Sequence, residues 1–300
     1  MIDILMATFN GEKYISAQLD SIILQTREDW HLYIIDDASS DKTVEIINKY
    51  IKKDPDKITL FENKKNNGNI CENFFFLIEK SKGELVFFAD QDDIWKRDKL
   101  EEMSKLFKAN KPMLVFSDMT VIDKHDNITA PSFVKMQALD VKHLTLRKLL
   151  VQNCVTGCSM AVNRSLLNVI KIPFSLPLHD WWIACCAVLK GEIIYCKKAY
   201  TYYRKHDKNV RGARKNNSLS YILSRINNKD DIKKMLSYTY DTAFELRSAY
   251  GASLSSDLKK MLDEIAILKH KGKVIRLLTH FKYGLWKSGI IRKIGQLIYM

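Results

Sequence analysis

The sequence predicts an α/β protein built on a mostly parallel sheet. Three observations lead there. Over the first 120 residues, apolar runs of strand length alternate with stretches of helical spacing. Strands separated by helices pair in parallel through crossover connections. Three of the runs end in polar clusters: Thr8-Phe9-Asn10-Gly11, Asp36-Asp37 and Asp90-Gln91-Asp92-Asp93. Ligands of such sheets bind beyond the carboxyl ends of the strands, so the clusters mark one expected site.

The elements follow in order. Ile2–Ala7 is the first strand. Glu12–Gln25 carries Tyr14, Ile15, Leu19, Ile22 and Ile23 at helical spacing. His31–Ile35 is the second strand, and Ser39, Ser40 and Asp41 offer caps for a helix through about Tyr50. Ile58–Phe61 is the third strand. The loop Asn66-Asn67-Gly68-Asn69 precedes a helix to about Lys82. Glu84–Ala89 is an apolar fourth strand, expected to be buried. Met113–Ser117 reads as a fifth strand, residues 120–150 are mixed, and Val155–Val162 is a further apolar run. Asp180–Leu189 is a short helical stretch, and Glu192–Tyr195 and Thr201–Tyr203 look like strand. From about Ser218 the pattern is helical, with breaks near Asn227-Asn228 and Gly251.

With 300 residues, the chain suits one large domain or one domain with an appendage. At 46% hydrophobic and 28% charged, it is not disordered throughout. The net charge of +13 suits phosphate-bearing partners. Part of this excess sits in the tail: from Ile265 to Met300 there are eight Lys or Arg and no Asp or Glu. No nucleic-acid-binding motif is recognised, so nucleic acid is not an expected partner. The N-terminus has an acid at position 3 and no basic segment, unlike a signal peptide. No apolar stretch reaches the ~18 residues of a membrane span. The expected location is therefore cytoplasmic, peripheral on the inner face of the membrane. Six cysteines without a C-x-x-C pair read as buried free thiols.

Several residues can carry chemistry. Three carboxylates within Asp90–Asp93 repel one another unless a cation is present, and hard oxygen ligands suit Mg²⁺ or Mn²⁺. A solvated acidic turn fits the same pattern. Asp36-Asp37 suits either a nucleoside or a helix cap. His179-Asp180-Trp181-Trp182 sets a carboxylate beside two aromatics, which suits a sugar and a proton transfer, or else a core with a capping acid. In Tyr203–Arg211, Arg204 and Arg211 suit a diphosphate and His206 a metal shell, with a basic surface loop as the alternative.

Taken in order, Ala7–Gly11, Ile35–Asp41, Phe88–Trp95 and His179–Trp182 resemble the signature of glycosyltransferase family 2, inverting enzymes with the GT-A fold. More narrowly, Asn153–Cys158 and Tyr203–Val210 resemble bacterial rhamnosyltransferases of cell-wall and O-antigen synthesis. The resemblance covers about residues 2–214. It implies a GT-A catalytic domain at 1–214 and leaves 215–300 as a basic amphipathic helical region. Thr8, Asn10, Asp37, Asn69, Asp90 and Arg211 would face the donor. Asp92, Asp90 and His206 would hold Mn²⁺ or Mg²⁺. Asp180 would be the catalytic base, and Trp181, Trp182 and Trp95 would face the acceptor. Lys205 and Cys158 depart from the subgroup, where Gln and Gly are expected. The implied donor is dTDP-rhamnose, with UDP-glucose and UDP-galactose still open, and the implied acceptor is a lipid-linked saccharide. The tail is expected to lie on an anionic membrane, or else to pack on the core or on a second subunit in a homodimer. A sugar nucleotidyltransferase would need a Gly-rich N-terminal phosphate loop, which Thr8–Gly11 is not.

Overall fold

A computed structural model describes residues 1–174, 178–206 and 229–300. The chain alternates as expected: β1 (Ile2–Thr8), α1 (Ile15–Ile23), β2 (Trp30–Asp36), α2 (Thr43–Lys53), β3 (Ile58–Glu62), α3 (Ile70–Lys80) and β4 (Leu85–Asp90). Next come β5 (Ile94–Trp95), α4 (Lys99–Ser104), β6 (Met113–Ile122), β7 (Ile128–Ala130), α5 (Phe133–Met136) and α6 (Leu146–Val151). β8 (Met160–Asn163), α7 (Arg164–Leu167), α8 (His179–Lys190) and β9 (Glu192–Arg204) follow. The C-terminal helices are α9 (Lys229–Tyr250), α10 (Ser256–Ala266), α11 (Lys273–Tyr283) and α12 (Ile290–Tyr299).

The strands form one mixed sheet in the order β3-β2-β1-β4-β8-β6-β9-β5, with β7 paired to β6. β3, β2, β1 and β4 are mutually parallel, while β8 runs antiparallel to both β4 and β6. From β1 the chain goes first to β2 and β3, then returns to β4 on the other side. The crevice at that reversal is where such sheets bind ligands. Register aligns the polar ends there: Thr8 lies beside Asp36, and Ala7 beside Asp90.

The sheet is buried because both faces are covered. Ile4, Met6, Ile34, Phe87 and Ala89 share a core with Leu19 and Ile22 of α1 and Ile47 of α2. β6 is longer than its expected Met113–Ser117 and is buried along its whole length. The two pieces expected at Glu192–Tyr195 and Thr201–Tyr203 are one strand, β9, lying parallel to β6. Their pairing shifts register on both sides of Asp118, and Lys197, Lys198 and Tyr200 have no partner in β6. That bulge breaks the apolar alternation and makes the strand look like two.

The chain divides into two compact units. The described residues of the first are 1–133, 155–170 and 190–206, which hold the sheet. Those of the second are 134–154, 171–174, 178–189 and 229–300. The helical C-terminal region thus shares its unit with two segments from within 1–214. Among the described residues no helix is long and apolar enough to cross a membrane.

Candidate active site

The β1 and β2 ends are tied by side chains. Thr8 Oγ1 donates to Asp36 Oδ1 at 2.8 Å, and Asp36 also accepts Ser39 Oγ–H at 2.6 Å and Ser39 N–H at 2.7 Å. Asn10 adopts φ 47°, a left-handed conformation that Asn tolerates, and its Oδ1 accepts Ser40 N–H at 2.9 Å. Asp37 Oδ1 accepts Asn63 Nδ2–H at 2.7 Å and Asn67 N–H at 3.1 Å, while Oδ2 accepts Gly68 N–H at 3.3 Å. Asn69 caps α3, accepting from Cys71 N and Glu72 N, and its Nδ2 donates to Glu72 Oε1 at 2.7 Å. Such a cap stabilises a helix by about 1 kcal/mol. The expected donor-facing residues Thr8, Asn10, Asp37 and Asn69 therefore form a hydrogen-bonded rim at the strand ends. Their side chains hold the loops in this structure, and the Thr8 hydroxyl is buried and committed to Asp36.

The acidic cluster follows β4. Gln91 turns back to the first loop: its Oε1 accepts Phe9 N–H at 2.9 Å and its Nε2 donates to Phe9 O at 3.0 Å. This clamp occupies the space beside Gly11, where a Cβ would lie 2.3 Å from Gln91 Oε1. Asp92 Oδ2 lies 2.6 Å from His206 Nε2, so two of the expected metal ligands meet. The His206 ring stacks on Tyr14 at 5.1 Å. Asp93 is fully buried, and its Oδ1 accepts Arg204 N–H at 2.9 Å. Burial, followed by the charges of Asp92 and Asp90, holds the Asp93 carboxyl well above the usual range.

Arg204 was expected on a diphosphate. It lies instead beneath the cluster, 2% exposed. Its Nε donates to Asp92 O at 2.8 Å, it pairs with Asp126, and its guanidinium sits 4.6 Å from the Tyr14 ring centre. With Nε and Nη1 engaged and the side chain buried, it braces the acids. Lys99 is also buried. Its Nζ donates to Cys158 O at 2.7 Å and Thr201 Oγ1 at 3.0 Å and rests 3.7 Å above the Trp95 ring. Burial pushes this ammonium down to about 7.

The donor set fits a hard divalent cation. Ligand atoms of Asp90, Asp93 and Cys158 all lie within 4.8 Å of one another. Burial raises the Cys158 thiol well above its ordinary value, so it stays protonated and is a poor ligand for such an ion. The carboxylate oxygens of Asp90 and Asp93 remain, and such hard ligands suit Mn²⁺ or Mg²⁺, whereas Asp92 and His206, expected in the same set, pair with each other outside this group. The repulsion from Asp92 and Asp90, which adds to burial in raising the Asp93 carboxyl, is what a bound cation relieves.

In the second unit, Asp180 lies in the first turn of α8, and its Oδ1 accepts Asn153 Nδ2–H at 3.0 Å. Burial pushes the neighbouring His179 down to about 3, which keeps its ring neutral. The expected acceptor-facing tryptophans are core residues here. Trp95, Trp181 and Trp182 are 2%, 2% and 0% exposed. Trp181 Nε1 donates to Leu149 O, Trp182 Nε1 donates to Lys171 O at 2.8 Å, and Trp182 stacks on Tyr250. No indole face is left for a sugar. Arg211 lies outside the described residues.

Comparison with known proteins decides the family. The sequence profile of Glycosyl transferase family 2 matches residues 3–170, more than half of the chain. The chain belongs to this family. Among its relatives is the dTDP-rhamnosyl transferase RfbG of Shigella flexneri, 28% identical over 220 residues, covering 69% of this chain and 74% of RfbG. Another is UDP-Glc:alpha-D-GlcNAc-diphosphoundecaprenol beta-1,3-glucosyltransferase WfgD of Escherichia coli, 31% identical over 175 residues, covering 58% of this chain and 64% of WfgD. The solved structure of Staphylococcus aureus TarS 1-349 in complex with UDP-GlcNAc superposes with a TM-score of 0.60 at 20% identity. It covers 94% of this chain and 72% of TarS 1-349, and this establishes the GT-A fold.

This family 2 glycosyltransferase contains polar residues that the motifs did not flag. Asn63 and Asn67 both donate to Asn73 Oδ1, at 3.0 and 2.9 Å, and with Asp37 they fix the loop before α3. Their only sequence signal was the Asn-rich stretch itself. Gln91 lay inside a recognised motif, yet its partner is the backbone of Phe9, and no spacing predicts that.

Proposed function

We propose that this family 2 glycosyltransferase moves L-rhamnose from dTDP-rhamnose to a lipid-linked acceptor during synthesis of a bacterial surface polysaccharide. The similarity to RfbG over two thirds of the chain carries this choice of donor. WfgD, whose name specifies UDP-Glc and a diphosphoundecaprenol-linked sugar, supports a lipid-linked acceptor. It also favours a second donor, a UDP-hexose.

The proposed reaction is a single displacement with inversion. The acceptor oxygen bonds to the anomeric carbon, the bond from that carbon to the diphosphate oxygen breaks, and the acceptor hydroxyl proton passes to the Asp180 carboxylate. Asn153, donating to Oδ1, orients that carboxylate. Asp92, Asp90 and His206 are proposed to hold Mn²⁺ or Mg²⁺, which when bound would supply positive charge to the leaving diphosphate. Arg204 keeps the Asp92 backbone in place, and Gln91 joins the cluster to the Phe9 loop. Arg211 is proposed to assist the diphosphate. The enzyme is proposed to work at the cytoplasmic face of the membrane.

The deciding experiment is a thermal-shift panel of dTDP-rhamnose, UDP-glucose and UDP-galactose with Mn²⁺, followed by measurement of the released nucleoside diphosphate in the presence of an undecaprenyl-diphosphate-linked saccharide. Stabilisation by dTDP-rhamnose and release of dTDP are expected. Stabilisation and turnover with a UDP-hexose alone overturn the rhamnosyl assignment.

A further inference from the structure

The last two helices are built inside out. On α11, Val274, Leu278 and Phe281 are 69, 65 and 66% exposed, and they follow one another at helical spacing along one stripe. The residues α11 buries fully are polar: Thr279, whose hydroxyl donates to Ile275 O at 2.9 Å, and His280, whose ring lies near Tyr240 and Trp286, while Leu277 is half-buried against Leu236 and Met300. α12 repeats the inversion. Ile290, Ile294 and Ile298 are 77, 51 and 57% exposed, whereas Gln296 is buried, donating to Leu285 O at 2.7 Å and accepting from Lys287 N at 3.1 Å. A helix that only closes a water-soluble core shows the opposite pattern.

The two helices form one hairpin. Lys273 Nζ donates to Ile298 O at 3.2 Å, and Arg276 Nη1 donates to Met300 O at 3.1 Å, so the first turn of α11 meets the last turn of α12. Gly284 (φ 65°) and Gly289 (φ 85°) make the bends between them. The inward polar groups Thr279, His280 and Gln296 bond to backbone, so the outward apolar stripes go with a satisfied inner face.

Charge selects the partner. The hairpin lies in a stretch with eight cations and no carboxylate between Ile265 and Met300; Lys271 and Lys293 are exposed, while Lys282 is paired with Glu264 at 2.5 Å. A second copy would set this positive surface against itself. An anionic lipid surface satisfies both features, with acyl chains against the stripes and headgroup phosphates against the lysines. Each helix, at 11 and 10 residues, is too short to span a bilayer and must lie in its plane.

We infer that α11 and α12 form a hairpin that inserts shallowly into an anionic membrane surface. This refines the proposed location of the enzyme and does not depend on which sugar is transferred. It is tested by flotation of the full chain with phosphatidylcholine vesicles, with and without phosphatidylglycerol. The wild type should float with the anionic vesicles, and less at high salt. Leu278→Asp with Phe281→Asp, and separately Ile294→Asp with Ile298→Asp, should lower vesicle affinity by about tenfold or more. Lys271→Glu with Lys293→Glu should weaken only the anionic component. All of these positions are exposed, so melting temperature and the donor-induced thermal shift should be retained, which separates loss of lipid binding from loss of the donor site. Flotation of the Asp variants at the wild-type level overturns the inference. So does a wild-type dimer in light scattering that the Asp variants convert to monomer, which would assign the stripes to a second copy.

Discussion

His206 Nε2 and Asp92 Oδ2 lie 2.6 Å apart although 114 positions separate them in sequence. β9 makes this pairing possible. It runs the length of β6, and at its end the Arg204 N–H is fixed on Asp93 and the Nε on the Asp92 carbonyl. The imidazole is therefore delivered to the acids by a strand.

If these two side chains share a cation, each will be needed for donor binding and neither for folding. Asp92→Ala and His206→Ala should each weaken Mn²⁺-dependent binding of the nucleotide sugar by at least about tenfold. Calorimetry with and without Mn²⁺ checks this. Binding that is equally strong in both variants and independent of metal would remove the cation from this position.

Asp180→Asn keeps the shape and the Asn153 contact site but removes the base. Turnover should fall by about 10²–10⁴-fold with donor affinity preserved. Steady-state rates at saturating donor, together with donor thermal shift, measure both quantities. Near-normal turnover excludes Asp180 as the proton acceptor.

Gly11 and Gln91 should be energetically coupled. A Cβ at position 11 meets Gln91 Oε1 at 2.3 Å, so Gly11→Ala must break the Phe9 clamp or shift the loop, at a cost of about 1–3 kcal/mol. In a Gln91→Ala background the added methyl group has room, and the cost of Gly11→Ala should largely vanish. A double-mutant cycle by denaturant unfolding reads this coupling, and strict additivity would contradict it.

Lys99 gives stability a pH dependence of defined sign. Burial holds its pKa near 7 in the fold, against 10.5 when unfolded. Between these values the unfolded chain binds the extra proton, so stability should rise with pH by up to about 1.4 kcal/mol per unit. Below about pH 7 both states are protonated and this contribution is flat. Lys99→Met should remove the upward slope between about pH 7 and 9, as followed by thermal unfolding across that range. Parallel curves for wild type and variant would show that the ammonium keeps its charge through its contacts with Cys158 O, Thr201 and Trp95.

The parallel half of the sheet was legible in the sequence because the apolar runs at Ile2, His31, Ile58 and Glu84 are short, separate and closed by polar residues. The place of the candidate site was readable for the same reason, since Thr8, Asp36 and Asp90 each end a strand, Thr8 beside Asp36 and Asp90 one place back beside Ala7. The fate of the tryptophans was not legible. An indole beside a carboxylate looks the same whether it packs on a sugar or on Tyr250, and only tertiary contacts such as Lys171 O decide. Arg204 was misread for a similar reason. A charged residue at a strand end is expected to be exposed, and it is buried here because Tyr14, Asp126 and the Asp92 carbonyl, all distant in sequence, provide its partners.

The bulge in β9 divides that strand into a tolerant and an intolerant half. Lys197 and Lys198 are exposed and unmatched in β6, and the ion pair of Lys198 with Asp98 is on the surface and contributes little. Adding or losing a residue there only resizes the bulge. Tyr200 is unmatched as well, and the same change after Thr201 would move Arg204 and His206 by one place and turn Arg204 to the opposite face of the sheet. Length variation among related chains should therefore collect at 197–200 and be purged from 201–206, because there the backbone acts as a ruler for where the imidazole arrives.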